Sequence, residues 1–273
     1  MQIIDGKALA KQIREKVKKD IQTLDTRPGL AVILVGADPA SHLYVSKKEK
    51  ACVEAGIHFE KYLYFYTEPQ EKIIERIKTL NERDDIHGIL VQLPLPYQFD
   101  RDKVIQTIDP KKDIDGFHPE NIKALLDGKP HIISPIHSGV ITLIESTDIK
   151  FKDKNCLIIA NTDTFSKPLS SLLEARGVKC ETLLTPFDKI DSKIKKADIV
   201  VSAIGKPQFI LGDWFKDNAV AIDCGTNQIN EHVVGDIDFE STKQKNGFIT
   251  PVPGGVGPMT IAMLLENVVK LSK

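Results

Sequence analysis

Several features that mark specialised protein classes are missing from this 273-residue sequence. Its four cysteines show no CxxC spacing, which argues against a zinc site or a disulfide framework and favours free thiols. The formal net charge is −1, so the composition indicates neither a nucleic-acid-binding nor a membrane-binding surface. No apolar run approaches the roughly 18 residues of a membrane span, and the N-terminal segment is too charged for a signal peptide. These absences predict a cytoplasmic protein without nucleic-acid or membrane partners.

Helical and strand patterns alternate along almost the whole chain. Continuous apolar runs such as LAVILVG and CLIIA are typical of buried parallel strands, and amphipathic segments follow them. One irregular segment, DPKKDIDGFHPENI, separates two such series. The pattern predicts an α/β fold of two lobes with a cleft between them. In the second lobe, CLIIANTDTFSKP has the strand–turn–helix layout of a Rossmann-like dinucleotide-binding domain. We expect the domains at 1–118 and 119–257, with a C-terminal helix at 258–273 folding back onto the first.

The segment YVSKKEKACVEAGI places two chemically useful side chains on one predicted helix. Tyr44 and Lys48 lie four residues apart and therefore project from the same face. The ring can stack on a flat substrate, and an amine whose pKa is lowered can transfer protons near neutral pH. Lys47 also falls near this face, and a solvated basic helix explains the same letters. Spacing alone leaves these readings open.

Three acidic or amide side chains stand where a ligand is expected. Gln92 is the polar residue of the apolar strand GILVQLPLP, at the end where α/β proteins bind ligands, although a structural amide fits equally. Asp113 and Asp115 can accept paired N–H groups from a heterocycle or can cap a turn. No cluster of His, Asp and Glu accompanies them, so we predict no metal site.

The segment TPVPGGVGPMT holds three glycines and three prolines in eleven residues. Glycine permits close backbone approach and proline stiffens the chain, so the segment predicts either a rigid turn or a wall against a ligand. Its length favours the second interpretation.

Together these segments resemble the bifunctional methylenetetrahydrofolate dehydrogenase/methenyltetrahydrofolate cyclohydrolase family, FolD. The family pattern Y-V-x-x-K-x-K-A appears as YVSKKEKA, which selects Lys48 over Lys47. Other matches, from IIDGKALA to the C-terminal segment, include GILVQLPLP, KDIDGFHPEN, DCGTN, GDIDF and PVPGGVGPMTIAMLLEN. The resemblance implies oxidation of 5,10-methylenetetrahydrofolate with NADP, hydrolysis of the methenyl product to 10-formyltetrahydrofolate, and a homodimer.

The resemblance also implies roles for individual residues. Lys48 is the implied proton carrier, and Gln92 holds it in place and keeps it partly neutral. Tyr44 stacks against the aminobenzoyl ring of the folate, and Asp115 anchors the pterin through paired hydrogen bonds. Further backbone contacts to the substrate are implied for Pro253, Gly254 and Gly255.

The segment CLIIANTDTFSKP, expected to form a strand, a turn and a helix, departs from the family at the implied cofactor site. The usual pattern V-G-R-S-x-x-V-G-K-P has two glycines, an arginine and a serine at the positions occupied here by Ala160, Asn161, Thr162 and Ser166. We expect Ala160 to add a methyl group beside the cofactor and Ser166 to cap the helix. Two other altered positions of this site are Thr185 and Thr226.

Replacement of the arginine by Asn161 affects the choice of cofactor. The family's arginine faces the 2′-phosphate of NADP, and a neutral amide loses that charge-assisted contact. The change predicts a weak or absent preference for NADP over NAD, unless Lys167 or Lys179 reaches the ribose.

Four functions remain open at this point. The leading hypothesis is the bifunctional enzyme with NADP; the others are a cyclohydrolase that has lost efficient dehydrogenation, an NAD-dependent version and a non-catalytic folate-binding paralogue. Retention of Lys48 argues against the last, because binding alone does not require this amine.

Overall fold

The computed structural model describes residues 1–187 and 189–273. These residues form two compact units. We call Lys11–Pro135 together with Ile261–Lys273 the first unit, and Met1–Ala10 together with Ile136–Thr260 the second unit. Both are α/β, as the alternating patterns predict.

The helices and strands follow one another in the predicted alternation. The strands in the described part of the chain are β1 (Gln2–Ile3), β2 (Gly29–Val35), β3 (His58–Tyr64), β4 (Gly88–Val91), β5 (Asn155–Ala160), β6 (Lys179–Leu184), β7 (Ile199–Ala203), β8 (Ala219–Asp223), β9 (Asn227–Ile229), β10 (His232–Val234) and β11 (Gly247–Ile249). The α-helices are α1 (Gly6–Ile21), α2 (Pro39–Ala55), α3 (Gln70–Asn81), α4 (Arg101–Gln106), α5 (Pro119–Leu126), α6 (Pro135–Glu145), α7 (Asp163–Glu174), α8 (Ile190–Ile194) and α9 (Val256–Leu271). Among residues 1–187 and 189–273, no helix combines the length and apolarity needed to cross a membrane.

The first unit is built on a three-stranded parallel sheet with the order β3-β2-β4. Successive residues of a strand point to opposite faces, and both faces of the buried central strand β2 carry a core. On one face Val32 packs in a cluster with residues from α1, α2 and α9, among them Val17 and Leu265. On the other, Ile33 packs with Ile73 of α3. The sheet is therefore covered on both sides, as parallel sheets usually are.

The second unit contains a six-stranded parallel sheet with the order β1-β11-β8-β7-β5-β6. From β5 the chain passes to β6 on one side and then crosses to β7 on the other. The topological switch point therefore lies between β5 and β7, and ligands of open α/β sheets bind outside the carboxyl ends of the strands at such a point. A short antiparallel hairpin, β9–β10, follows β8.

The compact units and the predicted domain ranges divide the chain differently at three places, the smallest being residues 258–260, which lie in the second unit. Residues 1–10 lie in the second unit because β1 pairs with β11, with Gln2 opposite Phe248. Residues 119–135 lie in the first unit. Pairing between positions so far apart in the chain leaves no local pattern in the sequence. The C-terminal part of α9 lies in the first unit and packs against Val17 of α1.

Candidate active site

Helix α2 carries the predicted aromatic and amine side chains, and its ends are well defined. The Asp38 side chain accepts hydrogen bonds from the backbone N–H of Ser41 at 2.8 Å and from its hydroxyl at 2.7 Å. Pro39 occupies the first turn, where a missing N–H costs nothing. At the other end Gly56 adopts the left-handed conformation, with φ of 94°, and terminates the helix. These caps hold α2 in a fixed register along the first sheet.

Lys48 lies on the buried face of α2. It stands three residues after Val45 and four before Cys52, which are both buried, so its aliphatic stem runs along that face. Burial lowers the pKa of the Lys48 ammonium below its usual value, and the Asp115 carboxylate opposes part of this effect. A lysine in this environment can be neutral at a lower pH than an exposed one.

The structure distinguishes Lys48 from Lys47, a choice that helical spacing leaves open. Lys47 is exposed, and its Nζ lies 5.8 Å from the centroid of the Tyr44 ring. Lys48 is half-buried and makes a hydrogen bond within the first unit. Tyr44 is also half-buried, one helical turn from Lys48.

Gln92 positions the Lys48 amine. Lys48 Nζ donates to Gln92 Oε1 at 3.0 Å. Gln92 directly follows β4, its backbone N–H donates to the carbonyl of Ile33 at 2.8 Å, and its side-chain Nε2 donates to the carbonyl of Leu93 at 2.7 Å. Because the amide nitrogen is held by Leu93, the amide oxygen is directed at Lys48. An oxygen that accepts from the amine stabilises its protonated form, so Gln92 does not keep Lys48 neutral as expected; burial lowers the pKa instead.

The two aspartates of the KDID segment have different environments. Asp113 is buried and caps a turn by accepting hydrogen bonds from Gly116 N, His118 N and Asn121 Nδ2. Burial raises the pKa of the Asp115 carboxyl to about 6, with Lys48 acting in the opposite direction. The turn-capping role therefore belongs to Asp113.

The glycine- and proline-rich segment lies in the second unit. Pro253 is exposed, whereas Gly254 and Gly255 are buried. Gly254 has a φ of 119°, which favours glycine, and a Cβ placed on Gly6 would lie only 2.1 Å from the Gly255 carbonyl oxygen. The segment is therefore packed against the start of α1, and its contact with a ligand at the exposed Pro253 stays a prediction.

Most of the predicted cofactor residues lie at the carboxyl edge of the six-stranded sheet in the second unit. They follow the ends of β5, β6 and β8, which run parallel and so finish at the same edge. The residues at this edge are Ala160, Asn161, Thr162, Thr185 and Thr226. All of them are exposed except Ala160, the last residue of β5.

The turn after β5 differs from expectation at two positions. Ala160 is fully buried and lies between Leu184 and Ala203 in the sheet, so its methyl group belongs to the core and does not face a ligand. Ser166 does not cap the helix, because α7 begins three residues earlier, after Thr162. Ser166 is instead buried inside the helix.

Two candidate cations near this turn are already paired. Lys167 forms an ion pair with Asp163 at 2.8 Å in the first turn of α7. Lys179 is the first residue of β6, at the opposite edge of the sheet from the turn, and lies 3.7 Å from Asp153. Lys179 is therefore remote from the turn, whereas Lys167 stands beside it and shares its charge with the Asp163 carboxylate.

Two family descriptions match this chain. Residues 4–115 match "Tetrahydrofolate dehydrogenase/cyclohydrolase, catalytic domain", and residues 134–273 match "Tetrahydrofolate dehydrogenase/cyclohydrolase, NAD(P)-binding domain". The chain belongs to the tetrahydrofolate dehydrogenase/cyclohydrolase family. This confirms the resemblance drawn from the sequence motifs.

Individual members of the tetrahydrofolate dehydrogenase/cyclohydrolase family match over nearly their full length. The Bifunctional protein FolD of Acetivibrio thermocellus is 44% identical over 275 residues, which cover 99% of this chain and 96% of that protein. The crystal structure of the bifunctional FolD enzyme from Campylobacter jejuni has a TM-score of 0.96 at 38% identity, covering 100% of this chain and 98% of that one. The Trypanosoma brucei FolD structure, complexed with NADP cofactor and inhibitor, has a TM-score of 0.94 at 31% identity and covers 99% and 96%.

Two buried aspartates, Asp223 and Asp236, hold backbone N–H groups at the carboxyl edge. Both lie in segments that match the family, but neither is among the predicted site residues. Asp236 accepts hydrogen bonds from Ser202 Oγ, Ile204 N, Lys206 N and Asn227 Nδ2 at 2.8–3.0 Å. Asp223 accepts from the backbone N–H groups of Gly225, Asp236 and Ile237. The signal was present as acidic residues in the glycine-containing segments DCGTN and GDIDF, but their partners follow only from the fold.

The carboxyl edge has hydrogen-bond donors that suit a nicotinamide dinucleotide, the cofactor implied by an NAD(P)-binding domain. The side chain of Thr162 makes no capping hydrogen bond, so the free N–H groups at the start of α7 have no acceptor from that side chain. The buried Ser166 Oγ has no hydrogen-bond partner among the described residues. Phosphate oxygens suit such N–H groups, because the helix dipole adds to their hydrogen bonds. The donors therefore match the ligand.

Proposed function

We propose that this protein oxidises 5,10-methylenetetrahydrofolate to 5,10-methenyltetrahydrofolate with NADP and hydrolyses the product to 10-formyltetrahydrofolate. The observation that carries the hydrolytic half is the hydrogen bond from the half-buried Lys48 amine to Gln92. A purely folate-binding protein has no need of an amine held in this way. The family membership and the donor set at the carboxyl edge support the oxidative half.

Hydrolysis of the methenyl cation consumes one water and releases one proton overall. Neutral Lys48 can take a proton from the water as its oxygen attacks the cationic carbon. Once protonated, the same amine can return a proton to the pterin nitrogen as the carbon–nitrogen bond to it breaks. The hydroxyl proton left on the added oxygen is then released as the formyl carbonyl forms. Burial lowers the pKa of Lys48, which increases the fraction of neutral amine available for the first step.

The residues around Lys48 are assigned to substrate binding and positioning. Gln92 acts through Lys48 and is a positioning residue. Tyr44 offers its ring for stacking on the aminobenzoyl group, and Asp115 offers two acceptor oxygens for paired N–H groups of the pterin. Backbone contacts to the substrate are assigned to Pro253, Gly254 and Gly255.

The second unit is assigned to cofactor binding. When bound, the nicotinamide accepts a hydride from the methylene bridge of the substrate. The exposed polar groups at the carboxyl edge orient it, with phosphate at the start of α7 and contacts from Asn161, Thr162, Thr185 and Thr226.

One observation favours a second candidate, a cyclohydrolase with weak or NAD-dependent dehydrogenation. Asn161 replaces the family's arginine, and its Nδ2 donates to the carbonyl of Ile204 at 2.7 Å. This side chain links two turns and brings no positive charge for a 2′-phosphate.

Absorbance of the methenyl compound separates these candidates. With purified protein, its decay without nucleotide reports hydrolysis, and its formation from the methylene compound with NADP or NAD reports oxidation. The proposal predicts both decay and NADP-dependent formation. Decay without formation leaves only the cyclohydrolase. If neither decay nor formation occurs, the proposal is contradicted.

We further propose a homodimer in a reducing, cytoplasmic compartment. The dimer is supported by the family resemblance, and the compartment by the four cysteines, whose spacing fits neither a disulfide framework nor a zinc site. Analytical ultracentrifugation of the reduced protein tests the oligomeric state: a mass of 30.4 kDa, that of one chain, contradicts the dimer.

A further inference from the structure

The turn that follows β7 carries a lysine with no assigned role. Lys206 is exposed, and its backbone N–H is held by Asp236 Oδ1 at 3.0 Å. The preceding Ile204 is fixed in the same way, by Asp236 Oδ2 at 2.8 Å. One buried carboxylate thus fixes the backbone from which the Lys206 side chain projects.

Two phenylalanine rings support the Lys206 side chain. Its Nζ lies 5.1 Å from the centroid of Phe187 and 5.0 Å from that of Phe209, within the range of cation–π attraction. Phe187 and Phe209 lie 6.1 Å apart, and Phe209 packs edge-on against Trp214 at the same distance. The ammonium group is therefore held in one region of the carboxyl edge.

The location of this region matters for a dinucleotide's adenosine ribose. In Rossmann-like sheets the residues that follow the strand after the phosphate-binding turn read the 2′ position of this ribose. Here that strand is β6, and Phe187 follows its last residue, Leu184, by three positions. Lys206 Nζ lies over the Phe187 ring, so the ammonium group stands beside this reading position.

Lys206 is also close to the position of the missing arginine. Asn161 Nδ2 donates to the carbonyl of Ile204, and a Cβ placed on Gly205 would lie 3.9 Å from the same Nδ2. The turns after β5 and β7 are therefore in contact at the switch point. A cation projecting from the second turn can serve a phosphate that the first turn no longer binds.

We propose that Lys206 recognises the 2′-phosphate of NADP in place of the family's arginine. The inference rests on the proposed function, since it requires that a nicotinamide dinucleotide binds at this edge. Lys206 then gives the protein a preference for NADP over NAD, whereas the sequence alone predicts that this preference is weak or absent.

The test compares two nucleotides that differ only in the 2′-phosphate, adenosine 2′,5′-bisphosphate and adenosine 5′-phosphate. Calorimetric titration of the full chain gives both affinities without any reaction. We expect Lys206→Met to reduce the preference for the bisphosphate by about tenfold, the lower end for loss of a hydrogen bond to a charged group, and to leave the affinity for adenosine 5′-phosphate unchanged. Lys206→Arg retains the preference.

The matched control is Lys179→Met, which removes a lysine from the opposite edge of the same sheet and should leave both affinities as in the wild type. An unchanged preference in Lys206→Met overturns the inference, as does an equal loss of both affinities or a wild type without preference. In each of these cases the proposed function stands, because the dinucleotide site still binds. A wild type that binds neither nucleotide overturns the inference and the oxidative half of the proposed function together.

Discussion

The two units differ in how closely their sites keep the family's sequence pattern. Around Lys48 in the first unit, every residue of the family pattern is present and the expected neighbours meet, as the 3.0 Å contact between Lys48 Nζ and Gln92 Oε1 shows. At the turn after β5 in the second unit, four positions differ from the pattern. That turn nevertheless retains the strand, the helix start and their alignment on the sheet.

The difference follows from which atoms carry the chemistry. Proton transfer by Lys48 depends on a side-chain amine, on the amide that holds it and on the burial that lowers its pKa. Phosphate binding at a helix start depends largely on backbone N–H groups, which every residue except proline provides. We therefore expect substitution to be tolerated better at the cofactor turn than at the lysine. The following predictions test this contrast, from the largest expected effect to the smallest.

Replacement of the amine should have the largest effect. Lys48→Met removes the group that accepts and returns the proton, so hydrolysis of the methenyl compound should fall by roughly 10²–10⁴-fold. Decay of its absorbance without nucleotide measures the rate. Lys47→Met is the matched control, because it removes the neighbouring exposed lysine and should leave hydrolysis unchanged. If Lys48→Met keeps more than about a tenth of the wild-type rate, Lys48 is not the proton carrier.

Replacement of Asp115 should weaken folate binding. Asp115→Asn retains one acceptor oxygen where the carboxylate offers two, and losing a charge-assisted hydrogen bond costs about 1.5–3 kcal/mol, or roughly 10- to 150-fold in affinity. Titration of the folate measures the change. Unchanged affinity shows that Asp115 does not contact the pterin.

The same carboxyl group predicts a pH dependence of folate binding. Because burial raises the pKa of Asp115 to about 6, its charge is lost as the pH falls through that value. Folate affinity of the wild type should therefore decrease below about pH 6, and Asp115→Asn should abolish this dependence. If the variant shows the same decrease as the wild type, another group titrates.

Loss of the positioning amide should have a smaller effect than loss of the amine. Gln92→Leu removes the acceptor for Lys48 Nζ, and a hydrogen bond to a charged group of this kind is worth about tenfold or more in rate. The amine also loses an acceptor that stabilises its protonated form, so the pH profile of hydrolysis should move to lower pH. A reduced rate with an unmoved profile indicates a purely structural role for Gln92.

The smallest effect is expected at the cofactor turn itself. If Lys206 binds the 2′-phosphate, Asn161→Arg adds a second cation at an exposed position and should change the preference for NADP by only about twofold, in line with other surface substitutions. The ratio of dehydrogenase KM values for NADP and NAD measures it. A large gain in NADP preference that is equally large in the Lys206→Met background contradicts the assignment to Lys206, because two cations on one phosphate should not act independently.

Local patterns in the sequence predict the secondary structure and part of the site. The apolar runs LAVILVG and CLIIA lie on β2 and β5 to within one residue at each end. Lys48 and Lys47 cannot be separated by spacing, because both fall near one face. The choice depends on the family pattern and, in the structure, on which amine meets Gln92.

Features that depend on distant parts of the chain are not predictable in this way. The pairing of β1 with β11 joins the two ends of the sequence. Ser166 resembles a helix cap until the start of α7 is known to lie after Thr162. Lys206 is one of many lysines in the sequence, and only the fold brings it over Phe187 and Phe209.

The pKa of the Lys48 amine, whose lowering is the central claim, can be measured directly. Competitive reductive methylation over a range of pH, read by mass spectrometry, gives the titration midpoint of each lysine in the folded protein. Lys47, one residue away and exposed, serves as the internal reference. The account predicts that Lys48 titrates at a lower pH than Lys47 and that Gln92→Leu lowers its midpoint further. A midpoint for Lys48 equal to or above that of Lys47 would contradict it.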